Sequence, residues 1–160
     1  VSMTAIDNQA IASSVHYLFY LANPASGNNN IVFTASSGDL RGGGVSYTGV
    51  KQTGTLDASA KGTDTSDPHQ VSVTTIADNC WAVVYGGTSG SGLTAGATDT
   101  TTRTTVSSNC IGDRNAATTP AGSVTLGFTG ADTVNTAMII ASFAPAVASI
   151  AASRRSIVVI

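Results

Sequence analysis

Few residues in this chain have side chains suited to chemistry. It carries two histidines (His16, His69), two cysteines (Cys80, Cys110) and two lysines (Lys51, Lys61), and all nine of its acidic residues are Asp. Without Glu there is neither a HExxH zinc helix nor an EF-hand loop, and a paired-carboxylate glycosidase would need two Asp. Gly87-Thr88-Ser89-Gly90-Ser91 falls one residue short of GxSxG, and no strand-to-helix elbow surrounds it. A Ser/His/Asp relay through His16 or His69 has no supporting spacing, because the chain holds 19 serines. The sequence therefore predicts no catalytic residue, no cofactor and no enzyme. His16, on the less consistent face of an apolar strand, reads as a packed or hydrogen-bonded histidine. His69, after Asp67-Pro68, reads as solvated. Asp57, Asp64 and Asp67 share one stretch and offer three hard oxygens to Ca²⁺, but a solvated loop without metal is the favoured reading.

Cys80 and Cys110 each follow an Asn, and each begins a run that reads as a strand or strand end. A disulfide between them is the favoured expectation. It would close a loop of about 30 residues and stabilise by roughly 3–4 kcal/mol. Two buried thiols are the alternative, and the spacing does not suit zinc. Tyr47, in the polar run Val45–Val50, is the ring expected to be exposed, whereas Trp81 is expected to pack over the disulfide. Carbohydrate binding through Tyr47 and Trp81 is the second functional reading.

The composition says what must position these residues. In 160 residues there are 23 Thr, 19 Ser and 17 Gly. Charged residues make up 10%, against a usual ~25%, and hydrophobic residues 42%. That is enough apolar material for one packed domain and too much for disorder. A net charge of −2 gives no case for nucleic acid, and scarce Glu, Lys and Leu exclude helical bundles. Strands are predicted at 15–22, 31–35, 45–50, 70–76, 80–85, 102–107, 123–129 and 136–143. Residues 55–68 and 86–101 are predicted as loops. The first two strands, joined by the Asn- and Gly-rich turn 23–30, are predicted to form a hairpin; both faces of 15–22 are apolar, so that strand should be covered on two sides. Residues 1–145 are read as the domain and 146–160 as a tail or assembly strand. The uncharged run 137–152 ahead of Arg154-Arg155 is 16 residues, interrupted by Pro145, whereas a membrane span needs ~20.

The hairpin-like run Leu18-Phe19-Tyr20-Leu21-Ala22-Asn23-Pro24-Ala25-Ser26-Gly27-Asn28-Asn29-Asn30-Ile31-Val32-Phe33-Thr34, then Tyr47-Thr48-Gly49-Val50, Ile111-Gly112-Asp113, Gly122-Ser123-Val124-Thr125-Leu126 and Met138–Pro145, resembles a loosely defined family of β-sandwich domains. These domains occur in secreted bacterial surface proteins and phage virion fibres. The resemblance covers residues 3–145. It implies a jelly-roll-like fold and an extracellular or virion setting, and brings no catalytic residues, since the shared motifs are turn and core positions. Family domains usually have one or two strands ahead of the segment matching Val1–Ala5. Either the sequence is part of a longer chain, or a neighbouring subunit supplies a strand. Ser156, Ile157, Val158, Val159 and Ile160 are the candidate donor, with pairing inside their own domain as the alternative.

The expectation is therefore an all-β, antiparallel, jelly-roll-like sandwich that a strand from a neighbouring subunit would complete. Its expected role is that of a non-enzymatic structural or adhesive subunit of an extracellular filament, surface assembly or phage fibre. Its expected partners are copies of itself or other surface or virion proteins, and in the second reading glycans.

Overall fold

The computed structural model describes residues 1–12, 14–36, 38–88, 92–130, 135–146 and, as backbone only, 155–159. Among these there are twelve strands and no helix: β1 (Thr4–Ile11), β2 (Ser14–Leu21), β3 (Gly44–Thr48), β4 (Leu56–Asp64), β5 (His69–Thr74), β6 (Trp81–Thr88), β7 (Leu93–Ala97), β8 (Thr101–Val106), β9 (Asn109–Asp113), β10 (Ser123–Gly130), β11 (Thr136–Phe143) and β12 (Arg155–Val159). They form three antiparallel sheets with strand orders β1-β2-β12-β3, β4-β11-β6-β9-β8 and β5-β10-β7. The all-β, antiparallel sandwich expected from the composition is the observed class.

The five-stranded sheet lies in the middle and is covered on both faces. Val83, Tyr85, Ile111, Ile139, Ala141 and Phe143 meet Leu18 and Val50 in one core. Their neighbours Ala82, Val84, Cys110, Met138 and Ile140 meet Val73, Val124, Leu126 and Phe128 in the other. Double burial explains why β6 and β11 are continuous apolar runs, while β8, with a wet face, is mostly Thr and alternates exposed with half-buried positions. Each fully buried Phe, Leu or Ile stabilises by about 1.5–3 kcal/mol relative to exposure.

Several expectations are corrected. Residues 31–35 are not a strand and make no hairpin with β2. Both edges of β2 are already taken, by β1 on one side and β12 on the other. Residues 56–64, expected as loop, are β4 on the edge of the middle sheet, and 93–97 are β7. Residues 4–11 form β1 against β2, a strand the polar Asp7-Asn8-Gln9 disguised. The tail strand β12 lies between β2 and β3 of its own chain.

That last pairing sets the geometry of the outer sheet. β2 and β3 are both antiparallel to β12, so they run parallel to each other. Parallel neighbours need a connection that travels back along the whole sheet. Residues 22–43 make it without regular structure. One face of β2 already carries Leu18 and Tyr20 into the core, so the connection passes over the other. The second covering of β2 is thus an open crossover and not a packed layer.

Candidate functional site

Between the crossover and the outer sheet lies an open cavity of about 1180 Å³. Val15, Tyr17, Phe19 and Leu21 form one wall, because alternate residues of β2 share a face. Ile31, Phe33 and Leu40 of the crossover form part of the opposite wall and remain 37–54% exposed, so the crossover covers the apolar face without filling the space. Tyr17, itself 46% exposed, and Phe19 lie with ring centroids 5.9 Å apart and planes inclined by 21°.

One end of the cavity is polar. The Ser14 Oγ is 3.0 Å from the His16 Nε2, the His16 Nδ1 meets the Tyr85 hydroxyl, and that hydroxyl donates to the Asn109 Oδ1 at 3.1 Å. The Ser14 hydroxyl also donates to the Ile11 carbonyl oxygen at 3.2 Å, so its single proton has a backbone acceptor besides the ring. Gly87 makes room for this chain: a Cβ there would collide with Tyr85, His16 and Asn109 together. A serine hydroxyl on a neutral imidazole is half of a nucleophilic relay. The other half is a group that stabilises the imidazolium. Here that place belongs to a phenol, whose ionisation burial pushes up, and then to an amide. Burial also lowers the pKa of His16. The network holds a neutral ring in place and offers nothing to a positive one.

A second polar cluster lies outside the cavity, between the outer and middle sheets at the far end of β9. Asp113 is fully buried and accepts from the Arg103 Nε at 2.6 Å, the Arg103 Nη2 at 2.8 Å, the Tyr47 hydroxyl at 2.7 Å and the backbone N–H of Asn115 at 2.7 Å. Burial alone would raise its pKa, but the hydrogen bonds from Arg103, Tyr47 and Asn115 outweigh it and hold the carboxyl below the usual range. Arg103 reaches it because β8 shifts register against β9 between Thr102 and Thr104. The extra residue at such a bulge is re-aimed. Tyr47 packs on Trp81 with ring centroids 5.9 Å apart, and both rings lie against the core. Tyr47 is therefore half-buried and engaged, not the exposed ring expected of it.

The other predicted positions are not brought together. Cys80 and Cys110 are free and buried. Cys110 pairs across the sheet with Gly86, six residues beyond Cys80 along β6. At ~3.3 Å per residue that separates the cysteines by about 20 Å, whereas a disulfide needs Cα atoms within ~7 Å. Burial, then the nearby Asp57, pushes the Cys80 thiol up to about 11. Burial raises Cys110 as well.

Asp57 and Asp64 stand at opposite ends of β4, about 23 Å apart by the same rise. Asp57 accepts the N–H groups of Ile76 and Ala77 and the Ser142 hydroxyl; Asp64 accepts those of Ser66 and Gln70, and Asp67 that of Gly130. Each fixes a turn. Among the described residues no three His, Cys or Asp side chains gather as a metal would require. His69 is fully buried at the head of β5, its Nδ1 3.2 Å from the Asp64 carbonyl oxygen, which corrects its solvated reading.

Ser89 to Ser91 of the near-GxSxG run and Ile160 lie outside the described residues. Among those described, no helix is long and apolar enough to cross a membrane. The cavity is what sequence reasoning missed. Its only signal was the apolar outward face of 15–21, which was assigned to a packed layer. Comparisons with protein-family models, with curated proteins and with solved structures return no match to this chain.

Proposed function

We propose that this domain is a non-enzymatic structural and adhesive subunit of an extracellular filament, surface assembly or phage fibre, and that copies associate through β-strand edges. The observation that carries the reading is the position of β12. It sits in the interior of the outer sheet, and β3 hydrogen-bonds to that sheet through β12 alone. Without it, β2 and β3 would face an open slot of unpaired N–H and C=O groups, the template that strand addition uses.

The route into the slot is short. The Ala146 N–H bonds to the Gly49 carbonyl at 2.7 Å, and Arg155 pairs with Thr48, the next residue of β3. The chain leaves and re-enters beside the same point, with residues 147–154 between. Nine steps at ~3.3–3.6 Å extend to about 30 Å, enough to carry β12 into the slot of an adjacent copy. Exchange in one direction gives an open head-to-tail chain and not a closed ring. The neutral His16 network and the structural hydrogen bonds that occupy Asp57, Asp64 and Asp113 support the non-enzymatic part. A surface kept wet by Thr and Ser with little charge suits an exposed subunit.

Val45 and Val158 are ladder partners between β3 and β12. In the variant Val45→Cys/Val158→Cys, oxidation of concentrated protein is expected to give a ladder of covalent multimers on a non-reducing gel. Monomer alone, cross-linked within itself at every concentration, refutes strand exchange.

A further inference from the structure

We propose that the cavity between the crossover and the outer sheet is a binding site for a neutral oligosaccharide seated on Tyr17 and Phe19. The site gives the adhesive part of the foregoing reading a ligand, and it stands or falls apart from strand exchange.

Three observations converge. The first is the aromatic pair. Tyr17 and Phe19 project from the same face of β2 with planes only 21° apart, and Tyr17 is nearly half exposed. The two rings stack on each other and form one aromatic ridge, whose uncovered Tyr17 surface can take the apolar C–H face of a sugar ring. The second is the rest of the lining. The crossover contributes Asn30, Thr34 and Ser36, side chains that both donate and accept hydrogen bonds without charge, and Asn29, whose Nδ2 is held by the Ala25 and Gly27 carbonyls so that its amide oxygen serves as an acceptor. Sugar hydroxyls need such groups. An acyl chain filling the same space would strip water from them with nothing in exchange. The third is charge and size. Asp39 and Arg41 are the charged side chains of the described lining, and they offset each other; Arg41 also donates to the Ser107 Oγ at 2.6 Å. That balance favours a neutral ligand over a sialylated or sulfated one. The volume of about 1180 Å³ exceeds the ~300–1,000 Å³ usual for a drug-sized molecule, which suits an oligomer.

The site also differs from the pair read from sequence. Tyr47 and Trp81 lie against the core between the two layers, with the Tyr47 hydroxyl committed to Asp113. Tyr17 and Phe19 face away from that core.

The test is titration calorimetry of the full chain against tri- to hexasaccharides of glucose, galactose, mannose and N-acetylglucosamine, with sialylated and sulfated glycans alongside. At least one neutral series should bind, with affinity reduced tenfold or more by Phe19→Ala and by Phe33→Ala, which sits on the crossover and leaves the sheet intact. Ile76→Ala, far from the cavity, should leave affinity unchanged. No binding by any neutral series at millimolar ligand overturns the proposal. So does tighter binding of the charged glycans, or affinity indifferent to both Phe variants. The cross-linking ladder of the Val45/Val158 cysteine variant reports on strand exchange alone, so either reading can fail without the other.

Discussion

Replacing Arg103 by Met gives a sharp test of the interlayer packing. The substitution keeps length and stem but removes two of the four hydrogen bonds to a carboxylate with no solvent exposure. Breaking one side of a buried pair costs about 3–5 kcal/mol, because the surviving charge is left uncompensated. The Arg103 side chain is one-third exposed, so the lower end applies, about 3 kcal/mol at pH 7. In a chain of this size that lowers Tm by roughly 6–12 °C. The pH dependence is the more specific signature. In the parent chain the Asp113 pKa is depressed, so its stabilising contribution is present above the unfolded value near 4 and is lost as pH falls through the folded pKa. Without Arg103, burial dominates and the folded pKa rises above the unfolded one. The variant then loses stability as pH climbs from about 4 through the raised pKa. The deficit should therefore be full at pH 7, smaller near pH 4, and smallest below the depressed folded pKa of the parent's Asp113. Urea unfolding at both pH values measures it. A loss under about 1 kcal/mol at pH 7, or an equal loss at both, refutes the assignment of Asp113 as a buried, Arg-dependent carboxylate.

Three other outcomes are expected. His16 has a depressed pKa, so the unfolded chain takes up a proton below about 6.5 while the folded one does not. Thermal stability should decline from pH 7 to 5, and His16→Asn should flatten part of that slope. Gly96→Ala places a Cβ against the Thr100 carbonyl oxygen, a backbone atom that cannot step aside, and should cost at least about 2 kcal/mol by chemical denaturation. Both thiols should resist a thiol reagent in native buffer and react fully in denaturant without reductant, since Cys80 and Cys110 are buried and unpaired; a chain that releases none when unfolded would restore the disulfide.

What was legible in the sequence followed burial. β6 and β11 lie in a sheet covered on both faces, so their apolar runs needed no context to be read as interior strands. β10 alternates Val124, Leu126 and Phe128 inward, and its period gave its face. β4 and β7 were hidden because small Ala, Ser, Thr and Gly dominate them, with Asp57, Lys61 and Asp64 also in β4; their strand character comes from their neighbours' ladders. The false hairpin arose from local turn chemistry at 23–30. Nothing near β2 reveals that a strand more than 130 residues later occupies its free edge. The cysteines misled for the same reason, since their separation depends on the β6–β9 register. The cavity was out of reach, because an apolar sheet face under a packed layer and one under an unfilled crossover have the same pattern.

The order of synthesis makes the interior placement of β12 consequential. β3 emerges early, yet the partner that ties it to the outer sheet is made over a hundred residues afterwards. Until then β2 and β3 remain apart, β2 with one hydrogen-bonding edge open and β3 with both. Pairing across so long a stretch is slow, and the nascent domain stays receptive to foreign strands throughout the interval. Under the proposed exchange, this interval is when a sibling's tail would enter the sheet in place of the chain's own.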